Sequence, residues 1–286
     1  MLPGKPYDRY IQAGSVLTRY WALGSRGTPV ILIHVLGASA DIWMKNMDSL
    51  AQRHRVYVPD VVGFGLSEKP EEVRSPFYFS QFISDFMVSL EIERASLVGH
   101  SLGGGIALQY TIQHPDKVRK LVIADGAGLG REVIYTLKLM SLPLIGELMS
   151  YPTRLGVSMF FKLAVRNPGI ITDDIIDTYY DLFRLPGARR FLLQVVRSIV
   201  TLRGGREDLL QPVLRNLHTI SAPTLIIWGR QDRVLPLKHA YVARENIPNA
   251  KLHVIENCGH ITNLECPDEF NDVVMLFLDN ETAMVA

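Results

Sequence analysis

The sequence predicts an α/β fold, with a mostly parallel central sheet flanked by helices and a helical cap inserted into it. Three observations predict this. Short, almost wholly apolar runs rich in β-branched residues recur along the chain, helical patterns lie between them, and the alternation lapses once, over residues 128–217. The runs fall at 30–33, 56–58, 95–98, 121–123, 224–228 and 252–255. Being apolar nearly throughout instead of alternating, they suit strands covered on both faces, as in a parallel sheet. Helices are expected at 79–90, at 102–114 before Pro115, and at 268–278, where Phe270, Val273, Val274, Phe277 and Leu278 fall at three-to-four spacing. Strands alternating with helices imply parallel, right-handed crossovers.

The lapse at 128–217 is too long for an ordinary loop and has no good strand candidate. Amphipathic helices are expected there at 131–140, 173–183 and 189–202, separated by Pro143, Pro152, Pro168 and Pro186. The domain reading is a core formed by 1–127 and 218–286, with 128–217 as a cap. Leu139, Met140, Leu144, Met149, Met159, Phe160 and Phe161 give the cap an apolar inner face. Gly126 to Gly130, glycine at every second position, reads as the hinge into it.

Bulk properties exclude several partner classes. The 286 residues carry 30 basic and 29 acidic side chains, a formal net charge of +1, so there is no strong field to gather nucleic acid or an anionic membrane. The greasiest stretch, 137–149, is broken by Pro143 and Gly146 and carries Lys138 and Glu147, short of the roughly 20 apolar residues a bilayer span needs. The amino end shows no apolar run behind a basic start. Two cysteines, Cys258 and Cys266, are too few for a disulfide framework; both read as structural thiols, and a cytoplasmic location is expected.

The chemistry gathers at strand ends. Gly99-His-Ser-Leu-Gly103 follows one strand directly and opens a helix, the setting that a G-x-S-x-G elbow needs. Small residues on either side let the backbone turn sharply, and the helix behind Ser101 directs unpaired N–H groups towards a reacting centre. A serine hydroxyl is protonated at neutral pH, so attack on a carbonyl requires a base, and the base requires a group that fixes its tautomer. Asp232, just past one strand, and His260, just past the last, would lie on the same carboxyl edge of the sheet as Ser101. Asp125 also follows a strand and is the alternative acid, its plainer reading being a turn or helix cap. His34 and His100 read as hydrogen-bonding residues that shape their loops, and His253 as a packing or surface residue. The arginines between Arg184 and Arg206 read as a solvated face. Neither a metalloprotease nor a nucleotide-binding motif is present, and no cofactor is expected.

Over about residues 17–278 the chain resembles the α/β-hydrolase superfamily, of the serine carboxylesterase or lactonase type. The resemblance is carried by the elbow, by Asp60-Val-Val-Gly-Phe-Gly-Leu-Ser67, which is similar to the family's D-x-x-G-x-G-x-S segment, and by Gly259-His260 with Glu265 and Pro267, which is similar to its G-H-x-x-x-x-E-x-P ending. It implies a pocket between cap and core and assigns two oxyanion N–H groups, those of Leu36 and Leu102. One departure stands out: His34-Val35-Leu36-Gly37 has valine where the family has glycine. A β-branched residue dislikes positive φ and could crowd the acyl site, so Val35 is expected to reshape or narrow it. The expected reaction is hydrolysis of a small apolar ester of short to medium acyl chain, extending to lactones, through an acyl-enzyme on Ser101. A carbon–carbon hydrolase, a perhydrolase or a low-turnover small-ligand receptor on the same triad is the alternative.

Overall fold

The computed structural model describes residues 5–72 and 78–280. The first four residues of the amino end and residues 281–286 of the expected core lie outside them. Eight strands form one sheet in the order β1-β2-β4-β3-β5-β6-β9-β10. They are β1 (Arg9–Ala13), β2 (Val16–Leu23), β3 (Pro29–Ile33), β4 (Arg55–Pro59), β5 (Ala95–His100), β6 (Val118–Ala124), β9 (Thr224–Gly229) and β10 (Lys251–Ile255). A separate ribbon pairs β7 (Val200–Thr201) with β8 (Gly204–Gly205).

The six apolar runs of the sequence are β3, β4, β5, β6, β9 and β10, and all pair in parallel. The antiparallel β1 and β2 were not expected. Their pattern is mixed because Arg19 sits wholly buried within β2, its guanidinium against the carboxylates of Asp8 at 2.7 Å and Asp60 at 3.0 Å. A buried charge survives only with such partners, and a hydropathy pattern does not register them.

Besides four short 3-10 turns, the described residues hold twelve α-helices: α1 (Met47–Ala51), α2 (Tyr78–Ser89), α3 (Leu102–Gln113), α4 (Tyr135–Met140), α5 (Ile145–Met149), α6 (Arg154–Ala164), α7 (Asp173–Arg184), α8 (Ala188–Ile199), α9 (Glu207–Asn216), α10 (Lys238–Asn246), α11 (Thr262–Glu265) and α12 (Pro267–Asp279). Among the helices that cover the sheet, α1 packs against α12, and α3 against both α2 and α9. Val30 to Ile33, Leu97, Val98, Leu121 to Ala124 and Ile226 to Trp228 are fully buried between these layers.

Between β6 and β9 the chain is helical apart from the β7–β8 ribbon. Its start has no capping side chain at α4, whereas Thr153 and Thr172 cap α6 and α7 through the N–H groups of Gly156 and Ile175. Of the apolar residues expected on an inner face, Met140 and Phe161 are buried, but Leu144 and Met159 are exposed. The insertion reaches the loops at the carboxyl edge of the sheet: the rings of Phe183 and Phe191 lie against Gly37 and Gly63. No helix among the described residues is long and apolar enough to cross a membrane.

Candidate active site

Ser101 occupies the turn between β5 and α3 with φ 54° and ψ −113°, a left-handed conformation that is strained for a residue with a side chain. The surroundings hold it there. Its N–H donates to the Ala124 carbonyl at 2.9 Å and its own carbonyl accepts from Ala127 at 2.9 Å. A Cβ on Gly99 would strike the Gly103 carbonyl, and one on Gly103 would strike the carbonyl of Ile33, so both flanking positions admit only glycine. The same closeness places the elbow against the loop that follows β3.

The three expected side chains meet at this edge. Ser101 Oγ donates to His260 Nε2 at 2.8 Å, and His260 Nδ1 donates to Asp232 Oδ2 at 2.7 Å. The other oxygen of Asp232 accepts the N–H groups of Val234 at 2.7 Å and Leu235 at 2.9 Å, so the carboxylate cannot swing away. Asp232 and His260 side chains are both buried, which keeps water from competing for the relay.

Asp125, the alternative acid, is engaged elsewhere. Its oxygens accept the N–H of Gly229 at 2.8 Å and the Thr262 hydroxyl at 2.6 Å. Burial, reinforced by the charge of Asp232, pushes its carboxyl well above the ordinary range. Donor atoms of Asp125, Asp232 and His260 lie within 4.8 Å of one another, the spacing of a metal site, yet each already serves the hydrogen bonds just described.

His34 and His100 shape the two loops, as expected. The Val61 N–H donates to His34 Nε2 at 2.8 Å, which leaves Nδ1 as the donor to the Val35 carbonyl. His100 Nε2 donates to the carbonyl of His260 at 2.7 Å, tying the elbow to the histidine loop. Burial, together with the neighbouring His260, lowers His100 to about 3. His253 instead lies at the surface on Glu269.

The loop carrying Leu36 departs from expectation in one respect. Val35 is not among the described residues with positive φ; Gly37, at φ 72°, takes that conformation. The valine therefore brings bulk without backbone strain. Leu102 is the first residue of α3, so its N–H has no partner one turn back, and the N–H of Leu36 meets no partner among the described residues.

Two anchoring residues went unread in the sequence. Glu265 accepts the N–H of Gly259 at 2.7 Å, of Arg166 at 3.0 Å and of Asn167 at 2.6 Å, while Thr262 holds Asp125. The signal for Glu265 was present in the G-H-x-x-x-x-E-x-P likeness, but spacing alone does not say what it grips. Cys258 is a buried free thiol and Cys266 a half-buried one.

Comparison with known proteins gives the family. Residues 30–273 match the family model described as the alpha/beta hydrolase family. The chain is 30% identical over 277 residues, 95% of its length and 90% of the relative's, to 2-hydroxy-6-oxo-6-(2'-aminophenyl)hexa-2,4-dienoic acid hydrolase of Metapseudomonas resinovorans. It is 33% identical over 273 residues, 91% of its length and 78% of the relative's, to an uncharacterized protein of Mycobacterium tuberculosis. Among solved structures, a meta-cleavage product hydrolase from Pseudomonas fluorescens superposes with a TM-score of 0.81 at 30% identity, covering 95% of this chain and 97% of that one. This chain is a hydrolase and belongs to the alpha/beta hydrolase family.

Proposed function

We propose that the chain hydrolyses the carbon–carbon bond beside a ketone in a 2-hydroxy-6-oxo-2,4-dienoate, with Ser101 as nucleophile, His260 as base and Asp232 as its orienting acid. The observation that carries this reading is the coincidence of a closed Ser101–His260–Asp232 relay with chain-long likeness, at 30% identity, to hydrolases of that substrate class. In the 2-oxo tautomer of such a compound, the carbon next to the ketone can leave with an electron pair that delocalises onto the 2-oxo group. Ser101 Oγ adds to the ketone carbon as His260 Nε2 takes its proton, and the N–H groups of Leu36 and Leu102 hold the oxyanion. Collapse breaks the carbon–carbon bond, and His260 returns the proton to the departing fragment. Water then releases the carboxylic acid from Ser101. The insertion at 128–217 acts as the cap over this site, and Val35 narrows its oxyanion side.

One observation favours a second reading, hydrolysis of a neutral carboxylic ester or lactone by the same steps. A cavity of about 650 Å³ begins at Leu102, and the charged residues lining it are Arg206 and Asp208. These pair with each other, Nη2 to Oδ2 at 2.7 Å, which leaves a cavity suited to a neutral hydrocarbon chain such as the acyl group of a simple ester.

Parallel assays decide between them. Loss of the visible absorbance of 2-hydroxy-6-oxo-6-phenylhexa-2,4-dienoate, abolished by Ser101→Ala, supports the first reading. Release of p-nitrophenol from its butyrate ester, with the dienoate untouched, transfers the assignment to the second. Turnover of both classes unaffected by Ser101→Ala overturns the nucleophile.

A further inference from the structure

The cavity that starts at Leu102 is long in one direction. From α3 it is lined by Leu102, Gly105, Ile106, Gln109, Ile112 and Gln113, a single helix face recurring every three to four residues. At 1.5 Å per residue, that face extends about 16 Å from the nucleophile elbow. Leu209, Leu210 and Val213 of α9 form the opposite wall, and Ala127 and Gly128 the inner end. At Gly128 an added Cβ would meet nothing within 4 Å, so this corner is open space. The far end reaches Gln113 and Asn216, both exposed, so the trough opens to water there.

We infer that this trough between α3 and α9 binds the acyl side of the substrate as an extended, neutral, unbranched chain of about twelve carbons, set by the 16 Å length and an advance of about 1.25 Å per carbon. The inference rests on Ser101 as nucleophile and deepens that assignment for either leaving group. The side follows from proton transfer. A leaving group must lie against His260 to be protonated, and of the site residues only Leu102, not Ser101, Leu36, His260 or Asp232, lines the trough. The trough begins instead at Leu102, beside the oxyanion, which leaves it to the substituent that stays on the carbonyl carbon. Its walls are apolar over most of their length, and Arg206 and Asp208 neutralise each other, which suits a hydrocarbon and not a charged tail. Such a chain is longer than the short to medium acyl group expected from the sequence.

Alkanesulfonyl fluorides test this without assuming an ester or a ketone substrate. Ser101 Oγ displaces fluoride and forms a sulfonate ester, with the proton leaving through His260, so the alkyl chain necessarily takes the acyl side. The second-order inactivation rate is expected to rise at least about a hundredfold from the ethane to the dodecane probe, below the roughly fourfold per methylene of complete burial. It should then level off at hexadecane, whose end emerges into water. Gln109→Trp and Val213→Trp are each expected to erase the gain beyond about eight carbons, Gln109 lying about 10 Å along α3. A wild-type profile that is flat beyond butane, or tryptophan variants with the wild-type profile, would overturn the trough while leaving the nucleophile in place. If no probe labels Ser101, the nucleophile and the trough both fall.

Discussion

Glu265 and Asn167, 98 positions apart in the chain, are joined by a 2.6 Å hydrogen bond from the Asn167 N–H to the Glu265 carboxylate. The same carboxylate accepts from Gly259, next to His260, at 2.7 Å. One side chain therefore fastens the histidine loop to the segment after α6, and the His260 N–H donates to the carbonyl of Ala164, the last residue of α6, at 2.7 Å. Hydrogen bonds to a charged group contribute about 1.5–3 kcal/mol each. Glu265→Ala is expected to lower unfolding free energy by about 3 kcal/mol in urea titrations and to reduce kcat tenfold or more. Glu265→Gln, which retains an acceptor oxygen, should recover part of both.

The division between the two buried aspartates is testable by paired substitution. Asp232→Asn leaves shape intact but removes the charge that steadies the imidazolium, and a loss of about 10⁴ in kcat is expected. Asp125→Asn should stay within about tenfold of wild type, because Asp125 holds Gly229 and Thr262 and not the imidazole. The reverse ranking would move the acid to Asp125.

Asp125 also has a signature in stability against pH. Its folded pKa is raised by burial and by Asp232, so its contribution is fully present below the unfolded value of about 3.9 and is lost as pH rises through the folded value. Asp125→Asn should accordingly match wild type in urea near pH 3.5 and exceed it at pH 8. Equal midpoints at pH 8 would show that no such cost exists.

His100 works in the opposite direction. Held neutral with a pKa lowered to about 3, it takes up no proton in the folded state between about pH 6.5 and 3, whereas the unfolded chain does. Stability is lost as pH falls through that window. From pH 6.5 to 5 the cost attributable to His100 is about 2 kcal/mol, at about 1.4 kcal/mol per unit. His100→Gln, which still offers a donor to the His260 carbonyl, should reduce the acid-side fall in the unfolding free energy read from urea titrations by that amount.

Two glycines separate steric from torsional demands. Gly103→Ala would drive a Cβ into the Ile33 backbone carbonyl, and should cost more than about 3 kcal/mol or prevent folding. Gly128→Ala meets open space but keeps φ at 88°, so a loss of about 1–2 kcal/mol is expected. Thermal midpoints compared side by side read the difference.

Much of this architecture was legible because the demands are local. The elbow requires Gly99 and Gly103 where backbones touch, and doubly covered strands require the apolar runs that became β3 to β6, β9 and β10. What was not legible depends on partners distant in sequence. Arg19 disguises β2 because its counter-charges come from Asp8 and Asp60. Val35 was expected to reshape or narrow the acyl site; the aversion of a β-branched residue to positive φ does not come into play, because Gly37 carries the positive φ. α5 and α6 were not anticipated, since surface apolar residues such as Leu144 and Met159 blur the face that periodicity should mark.

The strand ladder itself bridges the helical insertion by the closure of β6 onto β9, where Leu121 pairs with Thr224. Closing a flexible loop costs entropy that grows with the logarithm of its length, about 0.6 kcal/mol for each doubling. Lineages sharing this scaffold can thus lengthen, shorten or exchange that segment with little thermodynamic trace in the strands. Divergence in what such proteins admit is freed from the constraint of keeping the strand register intact, provided that the tether at Glu265 is preserved.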